Sequence, residues 1–361
     1  MITIIHPLDV SATTAVGGIE TWNYDFLKYS TSNYLVLGCS RTKTAGEVTF
    51  RAGIESLAIS SLPVRRIFLP DIVRYAFGLI RNRGKISSLV LIHRIDLVPI
   101  IRFLSPKTRI VLFIHTNLME QAAKNSDSFW RFFPKTYFRL ESYALSRVHR
   151  LGLYSIKELD RISRINPKTE LVQSWYNDEI FTFKKGVRNV DILWAGRFER
   201  VKDPILAVET IAELLKNDPS LTVSFAGSGS LLSSARRAAQ ELGLQDKIYF
   251  MGPLTQPELA RTMRESKVFL QTSHFEGSPR ILLEALGSGC KIVTTVEGDP
   301  EHLSRQIPGC AEITVRDPKR LADALRSSLN SPAMTGVPRN VAARRAPSVV
   351  KELEALFLIE N

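Results

Sequence analysis

The stretch SHFEGSPRILLEALGSGCKIVTT, residues 273–295, lays a loop, a short helix and a buried strand end to end. Ser278 reads as an N-cap, and Pro279 as the first helical residue, where a missing N–H costs nothing. The helix is expected over residues 279–286, with Gly287 and Gly289 ending it. The apolar run over 291–295 then reads as a strand. Glu276 falls in the loop, and Glu284 about one and a half turns inside the helix. The unsatisfied N–H groups at the helix start suit a phosphate or a sugar oxygen. Two acids flanking such a helix end suit a ligand with hydroxyls at both ends and phosphates between.

Upstream, residues 191–195 read as a strand that runs into Gly196-Arg197 and, five residues after Arg197, Lys202. Asp203-Pro204 opens a helix over 205–215. A glycine lets the chain turn at the strand end, so that both cations can reach one anion. Arg197 can fork onto phosphate oxygens, and Lys202 is a compact point charge. Residues 221–226 form the next strand, entering Gly227-Ser228-Gly229, and residues 247–251 another, ending at Met251-Gly252. Helices over 230–242 and 257–265 and a strand over 268–271 complete a steady βαβα rhythm, the sign of a doubly wound parallel sheet.

The first half repeats the rhythm less regularly. A strand over 2–5 leads to Gly17-Gly18, after which Ile19, Trp22, Phe26 and Leu27 recur at helical spacing. Further strands are expected over 34–38, 48–59, 88–93, 109–114 and 151–155, with a helix over 71–80. Two strands end in histidine, His93 and His115, and strand C-termini are where open parallel sheets place ligands. His93 reads as a structural strand-end histidine. Residues 129–149 mix bulky aromatics with Arg and Lys; they suit a helix at a membrane interface and equally a core helix with a basic outer face.

Taken together, E-G-S-P-R-I-L-L-E at 276–284, A-L-G-S-G at 285–289 and G-R-x4-K at 196–202 resemble the signature of retaining glycosyltransferases of family 4. The resemblance implies a GT-B fold: two Rossmann-like, doubly wound parallel-sheet domains facing a central cleft. It implies a nucleoside-diphosphate sugar, UDP- or GDP-linked, as donor. Arg197 and Lys202 would grip its diphosphate, opposite the Gly17-Gly18 loop. Glu284 would hold the ribose, and Glu276 with Gly277, Ser278 and Pro279 the sugar. The backbone at Gly227 and at Met251-Gly252 would border the nucleotide and its base. His115 would line the reacting centre, shuttling the acceptor proton or binding the donor sugar. Two departures stand out: Lys291, where the family has Pro, and Glu297, where it has Gly.

The domains are expected at 1–183 (acceptor), 184–340 (donor) and 341–361, a last helix packing back on the first domain, with a charged linker around 181–189. Three scattered cysteines without a CxxC pair fit a reducing, cytoplasmic setting. The start of the chain reads as a strand, not a signal peptide, and the longest apolar run, over 89–104, is broken by charges. Residues 1–185 carry 26 Lys and Arg against 15 Asp and Glu, net +11, and residues 186–361 carry 22 against 21, net +1. A basic first half suggests an anionic partner: a glycan or glycolipid acceptor, or the inner face of a membrane. No nucleic-acid motif is present, so no nucleic-acid partner is expected. No Asp-x-Asp or histidine cluster asks for a metal or other cofactor. The context would be bacterial surface polysaccharide or lipopolysaccharide synthesis. The rival readings are a non-catalytic anion-binding protein on the same scaffold, or a sugar epimerase or phosphorylase.

Overall fold

The structure is a computed structural model that describes residues 1–9, 18–40, 53–61, 71–115, 118–121, 132–277, 279–295 and 307–358. The chain divides into two units: Met1–His115, Phe133–Gln173 and Ala346–Asn361 in one, and Thr116–Phe132 with Ser174–Arg345 in the other.

The first unit holds a seven-stranded parallel sheet. Its strands are β1 (Ile2–Asp9), β2 (Tyr34–Ser40), β3 (Ile54–Ser61), β4 (Leu89–Ile92), β5 (Arg109–Ile114), β6 (Arg150–Leu153) and β7 (Thr169–Leu171). The order is β3-β2-β1-β4-β5-β6-β7, which reverses direction at β1/β4. Central strands such as Leu89–Ile92 are buried throughout, as helices on both faces of a parallel sheet require. The expected strand over 48–59 is β3; its residues 48–52 lie outside the described residues.

Residues 129–149 supply the helix Pro134–Arg147, residues 129–131 being undescribed. Tyr137, Ala144 and Leu145 face the core, and the buried Glu141 accepts two hydrogen bonds from Arg161, at 2.9 and 2.8 Å. Lys135 and Arg139 stay exposed on its outer face. The last helix, Ala346–Phe357, lies in this unit beside the helix Gly18–Tyr29. The Glu354 carboxylate accepts from the Thr31 and Ser32 N–H groups (2.8 and 3.2 Å) and from the Tyr34 hydroxyl (2.8 Å).

The second unit holds a six-stranded parallel sheet: β8 (Val190–Ala195), β9 (Val223–Ala226), β10 (Ile248–Gly252), β11 (Ser266–Gln271), β12 (Lys291–Thr295) and β13 (Ala311–Thr314), in the order β10-β9-β8-β11-β12-β13. Trp194, Phe198 and Phe225 fill one face with Ile211 and Leu325; Phe269, Leu282, Leu286 and Ile292 fill the other. The charged stretch over 181–189 is no loose linker. Phe181 is buried in this core beside Tyr176, and Arg188 donates to the carbonyls of Met263, Ser266 and Ser288. Lys291 sits in a fully buried strand because its ammonium caps the helix Pro318–Asn330, donating to the carbonyls of Ser328 and Ser331, both at 2.8 Å.

Candidate functional site

In the second unit, three turns at the ends of neighbouring strands are stitched edge to edge. Gly196 N–H donates to the Ala226 carbonyl (3.0 Å), Gly227 N–H to that of Gly252 (2.7 Å), and Phe198 N–H to that of Ser228 (2.9 Å). Gly227 has φ +132°, and a Cβ there would lie 1.9 Å from the Gly196 carbonyl oxygen. The turns can lie this close only because that position is glycine. Gly252 also has positive φ, +76°, and Met251 before it packs on the core.

The turn after β8 then splits its residues by polarity. Phe198 is buried under the sheet, whereas Arg197 is exposed; its carbonyl accepts from Glu199 N–H at 2.8 Å, and its guanidinium makes no hydrogen bond or ion pair among the described residues. Glu199 accepts from Ser230 N–H (2.9 Å) and Oγ (2.6 Å); burial raises its pKa, but these hydrogen bonds outweigh that and hold it below the usual range. At Asp203 the chain takes left-handed geometry, φ +46°. Asp203 caps the helix Pro204–Leu215 by accepting from Leu206 N–H at 3.2 Å, pairs with Arg316, and lies 3.4 Å from His274 Nε2. The Thr272 hydroxyl reaches the carbonyls of Lys202 and Asp203, each at 2.9 Å, and receives the Trp194 indole N–H at 3.1 Å. The segment bearing Lys202 is thus tied to the exit of β11.

That tie brings Lys202 to Glu276. The Lys202 ammonium pairs with Glu276 Oε1, which also accepts from Gln271 Nε2 (3.0 Å) and Ser273 Oγ (2.6 Å). Three donors converge on one carboxylate oxygen, while Oε2 takes none among the described residues. A side chain 12% exposed, Glu276 keeps an oxygen for a further donor. The helix after it spans Arg280–Gly287. This corrects the expected start: Pro279 occupies the capping position, its carbonyl accepting from Leu282 N–H at 3.0 Å, and Ser278 lies outside the described residues. Gly277, Pro279 and Glu284 are buried.

In the first unit His115 follows β5 and is partly exposed. Its Nε2 lies 2.8 Å from His93 Nδ1, and its ring stacks on Tyr154 at 4.8 Å. Gly17 and Glu297 lie outside the described residues. Gly18 opens the helix Gly18–Tyr29, and among the described residues a Cβ there would meet nothing within 4 Å.

Residues 177–345 match the family described as Glycosyl transferases group 1. The D-inositol 3-phosphate glycosyltransferase of Frankia alni is 30% identical over 205 residues, 54% of this chain and 50% of that protein. The chain therefore spans half the length of that relative. Among solved structures, sucrose-phosphate synthase from Thermosynechococcus elongatus superposes with TM-score 0.77 at 16% identity, covering 99% of this chain and 94% of that one. HepE of Anabaena, in complex with UDP and glucose, does so with TM-score 0.73 at 13% identity, covering 99% of each chain. The fold is GT-B.

Within that GT-B fold the group 1 match contains Arg197, Lys202, Gly227, Met251, Gly252, Glu276, Gly277, Pro279 and Glu284. The structure joins Lys202 to Glu276 and the glycine turns to one another; Arg197 stands on the first of these turns, its side chain exposed. Gln271, Ser273 and Arg316 were not singled out by sequence, and Asp203 only as the opener of its helix. Gln271 and Ser273 stand just ahead of Glu276, where a polar pair closing a buried strand is a usable signal. Arg316 acts on Asp203 from 113 residues away and leaves no local trace.

Proposed function

We propose that the protein is a retaining glycosyltransferase that moves a sugar from a nucleoside-diphosphate sugar, UDP-linked in the first instance, to a glycan or glycolipid. The observation that carries this is the Lys202–Glu276 pair beside the glycine turns: a cation for a diphosphate and an unshared carboxylate oxygen for a sugar hydroxyl. The group 1 match over these same residues supports it, and the UDP bound in the Anabaena neighbour suggests the base.

In this reading Arg197 and Lys202 offset the charge growing on the departing diphosphate, where fixed electrostatics contributes most. Glu276 holds the sugar and Glu284 the ribose. Gly227, Met251 and Gly252 border the nucleotide, and the Gly17-Gly18 loop and the Gly277–Pro279 backbone the phosphates and sugar. His115 serves the sugar side of the reaction. Neither Glu acts as a nucleophile; the leaving phosphate takes the acceptor proton as the acceptor attacks from the same face. No metal or other cofactor is assigned. The setting we propose is surface-polysaccharide or lipopolysaccharide assembly at the cytoplasmic face of a membrane, with an anionic acceptor.

The test is a thermal-shift titration with UDP, GDP and ADP in the presence of EDTA, on the wild type and on Glu284→Ala. At a hundred times its dissociation constant a ligand stabilises the fold by about 2.7 kcal/mol. The expected result is a shift with UDP that weakens in the variant. No shift with any nucleotide would sink the reading.

A further inference from the structure

The exit of β13 lies at the edge of the second sheet, with β12 and β11 between it and β8. There Asp317 caps the helix Pro318–Asn330, accepting from Arg320 N–H at 2.9 Å, which fixes the backbone beside Arg316. That helix packs on the helix Pro204–Leu215, whose own cap is Asp203. Arg316 reaches from the start of one helix to the start of the other.

Its guanidinium takes two acceptors from two separate segments. One terminal nitrogen donates to Asp203 Oδ2, and the other to the Thr272 carbonyl at 2.5 Å. His274 Nε2 lies 3.3 Å from the first of these nitrogens. With 19% of its side chain exposed, Arg316 is not a solvated surface cation. Both acceptors stand next to residues of the candidate site. Asp203 follows Lys202 directly, and its left-handed geometry, φ +46°, is one that an L side chain holds at a cost. Its two oxygens are divided: Oδ1 accepts from Leu206 N–H, and Oδ2 serves Arg316. Thr272 stands between Gln271 and Ser273, the two residues that donate to Glu276 Oε1 beside Lys202. Its hydroxyl already reaches the carbonyls of Lys202 and Asp203, and His274 N–H donates to that of Val201 at 2.8 Å. Arg316 adds a charge-assisted tie, stronger than these neutral ones. Two acceptors on different segments need two N–H donors at a fixed spacing. A planar guanidinium has them, whereas an ammonium is a point charge with no plane.

We infer that Arg316 is a positioning residue: it joins the turn bearing Lys202 to the segment holding Glu276, and so sets that ammonium against that carboxylate. The role rests on the glycosyltransferase reading, in which the same two groups take the donor's diphosphate and its sugar. Arg316 acts through them.

Amide hydrogen exchange on the full-length protein without ligand reads the tie itself. Arg316→Gln keeps a polar side chain and loses the charge and the fork. It should speed exchange about fivefold over residues 200–206 and 272–276, where the Leu206 and His274 N–H bonds lie, and leave the rest of the second sheet unchanged. Arg316→Lys, which restores the charge without the fork, should recover part of the protection. In the wild type the two terminal nitrogens of Arg316 should give separate 15N signals, because the two bonds stop the guanidinium from rotating; this reading needs no variant to fold. Unchanged exchange, or one averaged nitrogen signal, would overturn the inference.

Binding of UDP and of UMP supplies the second arm. UDP carries the full charge of the leaving group, and UMP lacks its second phosphate. Lys202→Met and Arg316→Gln should each lower the preference for UDP over UMP about tenfold, and the double variant should lower it no further than Lys202→Met alone. A merely structural role would weaken both nucleotides alike or add to the Lys202 loss, and either result would sink the positioning role. If exchange moves as stated and the wild type binds neither nucleotide, the tie stands and the glycosyltransferase reading alone fails. If the nucleotides bind and Arg316→Gln changes neither exchange nor preference, the reading stands and the positioning role is lost.

Discussion

Lys202 and Glu276 pair with each other, so on the proposed function a diphosphate must share the ammonium rather than find it loose. Lys202→Met keeps the stem and removes the charge, while Gln271 and Ser273 still hold Glu276. We expect turnover of the nucleotide sugar to fall about 100-fold with little change in melting temperature. An unchanged kcat with a raised KM would instead assign Lys202 to ground-state binding. His6 carries a separate consequence. Burial, and Arg94 nearby, push its pKa down to about 3. Below about 6.5 the unfolded chain takes up a proton that the folded ring refuses, so stability is present above that value and is lost as pH falls from 6.5 towards 3. Between pH 7 and 5 the wild type should lose about 2 kcal/mol more than His6→Gln. Denaturant titrations at both pH values measure this, and equal losses would mean that the folded ring protonates freely.

At the scale of elements, the glycine in the turn after β9 and the glycine that opens the helix Gly18–Tyr29 respond in opposite ways to one substitution. Gly227→Ala forces a Cβ onto the Gly196 carbonyl at positive φ and should cost about 3 kcal/mol or more. Gly18→Ala meets no described residue within 4 Å and should be neutral or slightly stabilising. Melting curves of the two variants check both. The contrast bears on what sequence could show. The strand–glycine–cation order of β8 and the Glu276–Glu284 spacing are local, and each could be read from a dozen residues. The helix start at Arg280 was missed by one residue because Pro279 suits either side of a helix boundary. The shared oxygen of Glu276 and the bond from Arg316 to Asp203 depend on which strands become neighbours, which no local pattern carries. Lys291 looked like a departure from the family pattern and proves to be a helix cap.

Taken whole, the molecule carries nearly all its excess charge on residues 1–185. No helix among the described residues is long and apolar enough to cross a membrane. Yet the neighbouring helices Asp71–Arg81 and Leu97–Leu104 leave Phe77 64% and Phe103 84% exposed, with Arg81, Arg83, Lys85 and Lys107 exposed nearby in sequence. Exposed aromatics among cations suit an anionic bilayer surface. We expect sedimentation with phosphatidylglycerol vesicles at low salt, lost on Phe77→Ser with Phe103→Ser; a protein that stays in the supernatant would leave the acceptor as the partner of the basic half. The first unit also has a distinctive chain order. Its sheet is made early, but the helix that Glu354 pins to Thr31, Ser32 and Tyr34 comes after the entire second sheet. During synthesis on the ribosome, the first unit must therefore wait, with the seat of that helix uncovered, until some 170 further residues have been translated. A chaperone that shields this seat would act on the nascent chain and have nothing to bind once the helix Ala346–Phe357 has docked.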